Sequence, residues 1–516
     1  MDSKNRTKAV MVNSTFAVFA QLLNLALSFI VRTLLIKSLG SEVNGLNGLF
    51  SNVVNILSFA ELGVGSAISY SLYQPLATGN KEQIAAIMTL FRKIYNYVAL
   101  FIASAGIIIS IFIPVFIHGS TEKLGNVHIA FLLFISNVVF SYLMSYKRTL
   151  LIANQQSYVD SLNRMIFTFG SQSIQVIGLL LFPNYYLFLV IQMMSTVLSN
   201  LPILIRVNRE FPYLKQFGDQ KVETGTIQYL KKNVIGMLSF KVGGIVITGT
   251  DNIILSSFLG LKTVGMYANY TLIITGLVSL MNSVVNSITS SIGNLASLGD
   301  KHREREVFLQ FNMVNGAIAF AVGMGLIIFF PVFITLWLGD NFVLSGFVTF
   351  IIVMNFFVGQ LRNGLINYLN AYGLYWQQRY KSVFEALLNL IVSLTLVTQT
   401  NLGISGVLIG TLSSYLLIDF FWEPKIVMQQ AIDIHLWAFY FWYGVQIVAG
   451  GILFYIGQLA FESYVLKTNI FLEMAGTVIF VIIGTTLFHL IQVISSKTVG
   501  LQTGNLIQIA RRLVRR

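Results

Sequence analysis

The chain has 516 residues, of which 55% are hydrophobic and only 10% are charged, and its mean hydropathy is +0.74. Soluble proteins carry about 25% charged residues, and a soluble fold could not cover so much apolar surface. The net charge of +13 would suggest nucleic-acid binding in a soluble protein, but in a membrane protein basic residues mark the cytoplasmic loops. The sequence therefore predicts an integral membrane protein and no nucleic-acid partner.

The chain contains no cysteine, which excludes disulfides, thiolate metal sites and thiol nucleophiles. Its five histidines are scattered without the spacing of metal ligands, so we expect neither a metal nor another cofactor. Three basic residues precede the first apolar run, and no small-residue cleavage site interrupts that run. It is therefore interpreted as a retained first helix and not as a signal peptide.

Apolar stretches long enough to cross the roughly 30 Å hydrocarbon core of a bilayer recur along the whole chain. Two connections, 182–184 and 399–402, are so short that each could join two spans into one bent hairpin, which would leave twelve spans. The main prediction is fourteen, at about 11–36, 46–72, 94–117, 128–150, 158–182, 184–205, 233–258, 265–292, 308–334, 345–369, 380–399, 402–422, 435–459 and 468–492.

The basic residues orient these spans. With a cytoplasmic N-terminus, 25 of the 33 lysines and arginines fall in cytoplasmic loops and tails, 4 fall in outer loops and 4 fall within spans. This bias is what the positive-inside rule requires. We therefore predict a multi-pass protein of the cell membrane with both termini in the cytoplasm.

The sequence repeats itself, because the pattern of 39–91 recurs at 259–311. Spans 1–6 map onto spans 7–12, and because each repeat holds an even number of spans, the two halves should be parallel repeats. This predicts a six-helix lobe over 1–218, a second over 219–430, and a remainder over 431–516 with spans 13 and 14 and a basic tail. The matching residues include Leu39, Gly40, Gly45, Gly79, Lys81 and Phe91 with Leu259, Gly260, Gly265, Gly299, Lys301 and Phe311.

Two facing six-helix bundles are the architecture of an alternating-access transporter, with the substrate site between the repeats. A duplicated scaffold without transport activity is the structural alternative. The expected fold class is thus an all-α membrane protein with two parallel-repeat bundles and two extra C-terminal helices.

Four segments give the chain a family resemblance. They are Arg32-Thr-Leu-Leu-Ile-Lys-Ser-Leu-Gly40, Ala60-Glu-Leu-Gly-Val-Gly-Ser-Ala-Ile68, Thr250-Asp-Asn-Ile-Ile-Leu-Ser256 and Ser291-Ile-Gly-Asn-Leu295. With the span count and the extra final pair, these segments resemble the bacterial polysaccharide-repeat-unit flippases of the Wzx type. That family belongs to the multidrug/oligosaccharidyl-lipid/polysaccharide superfamily, whose folds are MATE-like and V-shaped.

The resemblance implies a non-enzymatic flippase that moves undecaprenyl-pyrophosphate-linked oligosaccharides to the outer leaflet for capsule or exopolysaccharide synthesis. It also implies membrane lipids, a polysaccharide polymerase and glycosyltransferases of the same pathway as partners. Three alternatives remain: a flippase for the peptidoglycan lipid precursor, a multidrug cation exporter of the same superfamily, and a membrane enzyme of polysaccharide assembly. The sequence offers no loop large enough for a catalytic domain.

Ionisable residues within spans are costly and are therefore functional candidates. The four basic residues within spans, Arg32, Arg164, Lys241 and Arg362, are the predicted contacts of the anionic pyrophosphate, because guanidinium and ammonium groups form charge-assisted hydrogen bonds. The alternative is ion pairing.

Pairing has its own sequence signals. Asp160 with Arg164 and Lys381 with Glu385 stand four residues apart on one helical face, and cross-helix pairs such as Arg32–Glu61 and Lys241–Asp251 are further options. Glu61 and Asp251 are also the predicted coupling residues for a proton or sodium gradient, since burial favours a protonated carboxyl.

Overall fold

The computed structural model describes residues 23–58, 64–117, 125–154, 156–217, 250–298, 301–372, 374, 376–464 and 470–501. These residues form helices and connecting turns, with no strand among them. The helices are α1 (23–39), α2 (Ser41–Leu57), α3 (Val64–Thr78), α4 (Lys81–Phe112), α5 (Val127–Ala153), α6 (Ser157–Leu181), α7 (Tyr185–Glu210), α8 (Tyr213–Gln216), α9 (250–259), α10 (Leu261–Leu298), α11 (Lys301–Leu338), α12 (Gly346–Ala371), α13 (Arg379–Gln399), α14 (Ile404–Ser414), α15 (Phe420–Gln430), α16 (Leu436–Tyr464) and α17 (Ile470–Thr498).

Eleven helices in the described residues are long and apolar enough to cross a membrane. Each overlaps one of the fourteen predicted spans, which confirms the all-α membrane fold. The other three predicted spans, 11–36, 46–72 and 233–258, lie wholly or partly outside the described residues. The two short connections separate distinct helices, since α6 ends at Leu181 before α7 begins at Tyr185, and α13 ends at Gln399 before α14 begins at Ile404.

Polar caps set where several helices begin. The side chains of Asn80, Asn126, Asn184 and Ser345 accept hydrogen bonds from the first-turn amides of α4, α5, α7 and α12, which otherwise lack partners. The helices also extend past the apolar stretches. For example, α4 begins at Lys81, whereas the apolar pattern places its span at 94–117. Hydropathy detects only the part of a helix that lies in lipid.

The predicted internal repeat is visible in the helix boundaries. Helices α2 and α10 begin at Ser41 and Leu261, and α4 and α11 begin at Lys81 and Lys301, with the same offset that relates the matching residues of the two halves. The junctions before α2 and α10 also match, because Gly40 and Gly260 both have positive φ, 96° and 85°. Only glycine adopts that conformation without strain.

Two repeat-related glycines form a close helix crossing. A Cβ at Gly45 would lie 2.1 Å from the Leu261 carbonyl oxygen, and a Cβ at Gly265 would lie 2.4 Å from the Ser41 carbonyl oxygen. The contact is reciprocal, since each glycine meets the residue four positions before its counterpart. This crossing brings matching segments of the repeat into backbone contact within the described part of the chain.

The chain divides into two compact units, Met1–Ala268 and Asn269–Arg516. The predicted lobe boundary at 218/219 falls within residues 218–249, outside the described part, so the three-part division remains a prediction. In the first unit the apolar core includes Phe50, whose ring packs edge-on against Phe131 and Phe134 at 5.0 and 5.7 Å.

In the second unit the last two long helices pack against the bundle. The rings of Phe454 in α16 and Phe488 in α17 stack on Phe320 of α11 at 4.9 and 4.4 Å. The indole nitrogen of Trp442 donates to the Gln492 carbonyl oxygen at 3.1 Å, which joins α16 to α17. Spans 13 and 14 are thus part of the core of this unit.

Candidate functional site

A cavity of about 220 Å³ lies among α5, α6 and α7 of the first unit. Its lining is polar although all three helices are predicted to cross the membrane. Phe167 and Asn200 line it together with two arginines, Arg148 and Arg164. The rest of the lining is hydroxyl side chains: Ser141, Ser145, Thr168, Ser195, Thr196 and Ser199.

One carboxylate holds both arginines. Asp160, in the first turn of α6, forms an ion pair with the Arg148 guanidinium, and its Oδ2 accepts from Arg164 Nε at 2.8 Å. The first turn of a helix favours an acidic residue because of the helix dipole. With two guanidinium groups and one carboxylate, this cluster carries a net formal charge of +1.

The two arginines differ in how fully they are satisfied. Arg148 is buried, with its side chain 7% exposed, and it also donates to Asn200 Oδ1 at 2.9 Å and to the Ser199 carbonyl oxygen at 3.1 Å. Arg164 is 64% exposed, and within the described part of the chain it forms only the bond from Nε to Asp160. Arg148 therefore fixes the cavity wall, while Arg164 keeps both terminal nitrogens available to a ligand.

Sequence reasoning found part of this cavity. The Asp160–Arg164 pair is confirmed, and Arg164 was a predicted substrate contact. Arg148 was counted as a cytoplasmic loop residue, whereas it lies in α5 and is buried. A helical polar stripe was the missed signal, because Ser141, Ser145 and Arg148 recur at intervals of four and three residues and so share one face of α5.

Arg362, in α12 of the second unit, lies in a different kind of cluster. Its guanidinium donates to Glu423 from Nη2 at 2.7 Å and from Nε at 3.2 Å, and Nη1 lies 2.8 Å from Asp419 and 3.5 Å from Glu385. The ring of Tyr415 lies 4.4 Å from the guanidinium carbon, in cation–π geometry. Arg362 thus shows the cross-helix ion pairing that the sequence left open as the alternative to substrate contact.

Lys381 completes this cluster. Its Nζ lies 2.8, 2.9 and 3.2 Å from Glu423, Asp419 and Glu385, respectively, which confirms the predicted Lys381–Glu385 pair. A π-helical turn over Tyr415–Asp419 joins α14 to α15, and such turns often occur at functional sites. Asp419 at its end and Glu423 one turn later face the two cations. Glu423 lies just beyond the predicted span 402–422 and is therefore not among the ionisable residues predicted within spans.

The remaining predicted residues are separate from both clusters. Arg32 in α1 donates to Asn44 Oδ1 at 2.7 Å, and Asn44 in turn donates to the Gly265 carbonyl oxygen at 3.1 Å, next to the glycine crossing. Asp251 of α9 is buried. Lys241 and Glu61 lie outside the described residues, so the pairs Arg32–Glu61 and Lys241–Asp251 remain predictions, as do the substrate and coupling roles of all these residues.

Solved structures share this fold. An inward-facing MATE multidrug resistance transporter of the MOP superfamily aligns with 86% of this chain and 96% of its own, with a TM-score of 0.57 at 12% identity. The lipid II flippase MurJ, in an inward closed conformation, aligns with 93% and 98%, and a variant of the Vibrio cholerae MATE transporter VcmN with 82% and 98%; both have a TM-score of 0.57 at 12% identity. No protein-family model and no curated protein sequence matches the chain.

At so low an identity these likenesses establish the fold alone. The chain has the fold of these transporters and of this flippase. The finer resemblance to Wzx-type flippases remains a prediction. The solved proteins named above are transporters and a flippase.

Proposed function

We propose that this protein is a flippase that moves an undecaprenyl-pyrophosphate-linked oligosaccharide across the cell membrane by alternating access, for the synthesis of a cell-surface polysaccharide. The fold supports transport, and the likeness to a lipid II flippase supports a lipid-linked cargo. The polar cavity of α5, α6 and α7 supports the chemical class of that cargo. On this proposal both termini are cytoplasmic, and a polymerase and glycosyltransferases of the same pathway are partners.

The exposed guanidinium of Arg164 is the observation that carries the proposal. A diphosphate offers several anionic oxygens, and an arginine fork binds such oxygens in pairs. The hydroxyls around it can donate to phosphate oxygens and both donate to and accept from sugar hydroxyls. Because the described lining has two arginines and no carboxylate, the cavity is poorly suited to an organic cation, which argues against the multidrug exporter.

A lipid II flippase is the second candidate, favoured by the alignment of MurJ with 93% of this chain. Its cargo would bind the same cavity through the same kind of anionic group. The two candidates therefore differ in the sugar, and competition for binding between lipid II and a non-peptide lipid-linked oligosaccharide separates them.

The proposal predicts that Arg164→Ala weakens binding of undecaprenyl pyrophosphate to the purified protein in nanodiscs. A hydrogen bond to a charged group contributes about 1.5–3 kcal/mol, and 1.4 kcal/mol corresponds to about tenfold in affinity. We therefore expect a loss of about 10- to 150-fold, measured by fluorescence or calorimetric titration. Arg164→Lys should lose less, because it keeps the charge while losing the fork.

Arg206→Ala is the matched control. Arg206 also forms a pair with an acid four residues away, Glu210, but it lies on α7 outside the cavity lining. Its replacement should leave affinity within about twofold, since exposed pairs contribute little. Equal binding by wild type and Arg164→Ala, with unchanged melting temperature, would remove the cavity as the diphosphate site.

A further inference from the structure

The charge cluster of the second unit, formed by Arg362, Lys381, Glu385, Asp419 and Glu423, does not balance. Two cations face three carboxylates, which leaves a net formal charge of −1 when all five are ionised. Every one of these side chains is at most 9% exposed. An uncompensated charge at such a position is strongly unfavourable in a protein interior.

Among the residues whose side chains the structure describes, no further cation from the neighbouring helices restores the balance. The electrostatic partners of Arg362 and Lys381 are members of the cluster. Lys425 of α15 is exposed, and α11, which packs on α12, carries its ionisable residues in its first two turns, where Lys301 pairs with Glu304. From α16 the cluster meets Tyr443, which interacts electrostatically with Glu423, Arg362 and Asp419.

The three carboxylates are not equally satisfied. Glu423 accepts three hydrogen bonds from Arg362 and Lys381, so its negative charge is well stabilised. Asp419 is fully buried, and although cations lie 2.8 and 2.9 Å away, neither of its oxygens accepts a well-aligned hydrogen bond from the described residues. The Tyr443 hydroxyl is likewise buried without a partner in that part of the chain. Glu385 lies farther from the two cations, at 3.5 and 3.2 Å, but of the three carboxylates only Asp419 has both oxygens fully buried without an aligned hydrogen bond from the described residues. Asp419 is thus the carboxylate with free capacity for a proton.

We propose that this cluster is a proton-binding site in which the Asp419 carboxylate takes up and releases one proton. Uptake forms one O–H bond on Asp419 with a proton from water, and it changes the cluster from a net charge of −1 to zero. A metal cation fits less well, because the Lys381 ammonium already occupies the position among all three carboxylates. The described residues contain no group of three or more acidic, histidine or cysteine side chains arranged to hold a metal ion.

The consequence for transport rests on the proposed function. If one proton moves per cycle, the cluster formed by α12, α13, the π-helical turn and α15 couples the proton gradient to movement of the lipid-linked cargo. This assignment differs from the sequence prediction, in which Glu61 and Asp251 are the coupling residues. The proton site itself depends only on the cluster and can be tested without any cargo.

Infrared difference spectroscopy of the full-length protein in nanodiscs tests the site, with a change of pH as the trigger. We expect a protonated-carboxyl C=O band that disappears at high pH in the wild type and is absent from Asp419→Asn. Asp419→Glu should keep the band at a shifted frequency, whereas Glu385→Asp should leave its frequency unchanged. Asp340→Asn, at an exposed acid away from the cluster, is the control and should keep the wild-type band.

Two kinds of result would overturn the assignment. The first is a wild-type band that persists in Asp419→Asn, or that shifts in Glu385→Asp in place of Asp419→Glu. The second is a melting temperature of the wild type that rises with NaCl but not with choline chloride, while that of Asp419→Asn rises with neither salt. That pattern would indicate a sodium site. Asp419→Asn mimics the neutral carboxyl and should fold. If Asp419→Asn does not fold, the band shift in Asp419→Glu tests the site instead.

The transport arm separates this inference from the proposed function. In proteoliposomes, Asp419→Asn should lose the response of cargo flipping to a pH gradient while still binding undecaprenyl pyrophosphate. Failure of the wild type to bind that probe, with the infrared result intact, would reject the cargo and keep the proton site. Intact binding of the probe without the infrared band would reject the proton site and leave the proposed cargo standing.

Discussion

Arg164 and Arg362 are both arginines within predicted spans, and their surroundings are opposite. Arg164 shares one carboxylate with Arg148 at the edge of an open cavity of net positive charge. Arg362 is enclosed by three carboxylates and a lysine in a cluster of net negative charge. On the proposed function, a charged residue within a predicted span contacts the ligand only where its protein partners leave donors free, as at Arg164.

The two clusters also differ in what holds them. In the open cavity most contacts are to hydroxyl and amide groups, which a polar ligand can join or replace. In the closed cluster the contacts are ion pairs in which each group depends on the others. Mutations should therefore change ligand affinity at the first and folding stability at the second.

The largest expected difference is in stability. Arg362→Met removes a cation that pairs with three buried carboxylates and should lower the free energy of unfolding by about 3–5 kcal/mol, as observed when a buried ion pair loses one member. Arg164→Met removes a largely exposed member of its pair, and such pairs contribute about 0–1 kcal/mol. Thermal unfolding of both variants in the same detergent measures the difference.

A double variant shows whether the loss at Arg362 is due to stranded charge. Arg362→Met combined with Glu423→Gln removes a cation together with its main partner, so stability should recover part of the loss. Equal destabilisation by Arg362→Met and Arg164→Met would contradict the distinction between a closed and an open cluster.

Accessibility is the second difference. Because the chain lacks cysteine, matched serine replacements report on the two regions without background. Ser195→Cys in the cavity lining should react with a small methanethiosulfonate reagent. Ser382→Cys, buried beside Lys381, should react only after unfolding, since thiolate reactions require access.

Ligand protection extends this test. Undecaprenyl pyrophosphate should slow modification of Ser195→Cys and leave that of an exposed position, such as Thr398→Cys at the end of α13, unchanged. Rapid modification of Ser382→Cys in the folded protein would mean that the closed cluster is open to solvent.

The same comparison explains what could be predicted from the sequence. Spans are predictable because each apolar stretch carries its own signal. The pairs Asp160–Arg164 and Lys381–Glu385 are predictable because a helix brings residues four apart together. Arg362 pairs mainly with Asp419 and Glu423, which lie far along the chain, where α14 joins α15. No local pattern records which helices pack together, so Arg362 resembled an unpaired substrate contact.

Arg148 shows a second limit. Counting basic residues near span ends as loop residues suits a prediction of orientation, because the rule describes a bias over many loops. It gives no information about a single residue, and α5 continues to Ala153, past Arg148. The polar face of α5 would have placed Arg148 beside the serines if it had been compared with the polar faces of α6 and α7.

The smallest expected effect is that of a single cavity hydroxyl, and it tests which part of the cargo the cavity holds. The Thr168 hydroxyl lines the cavity and makes no hydrogen bond within the described part of the chain, so Thr168→Val should leave the melting temperature unchanged. A neutral hydrogen bond contributes about 0.5–1.5 kcal/mol, or about 2- to 12-fold in affinity. If Thr168 contacts a sugar, Thr168→Val should weaken binding of a lipid-linked oligosaccharide by that factor and leave binding of undecaprenyl pyrophosphate unaffected. If it contacts the diphosphate, both ligands should lose affinity by the same factor.

Thr398→Val, the same replacement at an exposed threonine bonded to its own helix, is the control and should change neither affinity. If Thr168→Val binds both ligands with wild-type affinity, this hydroxyl does not contact the bound cargo.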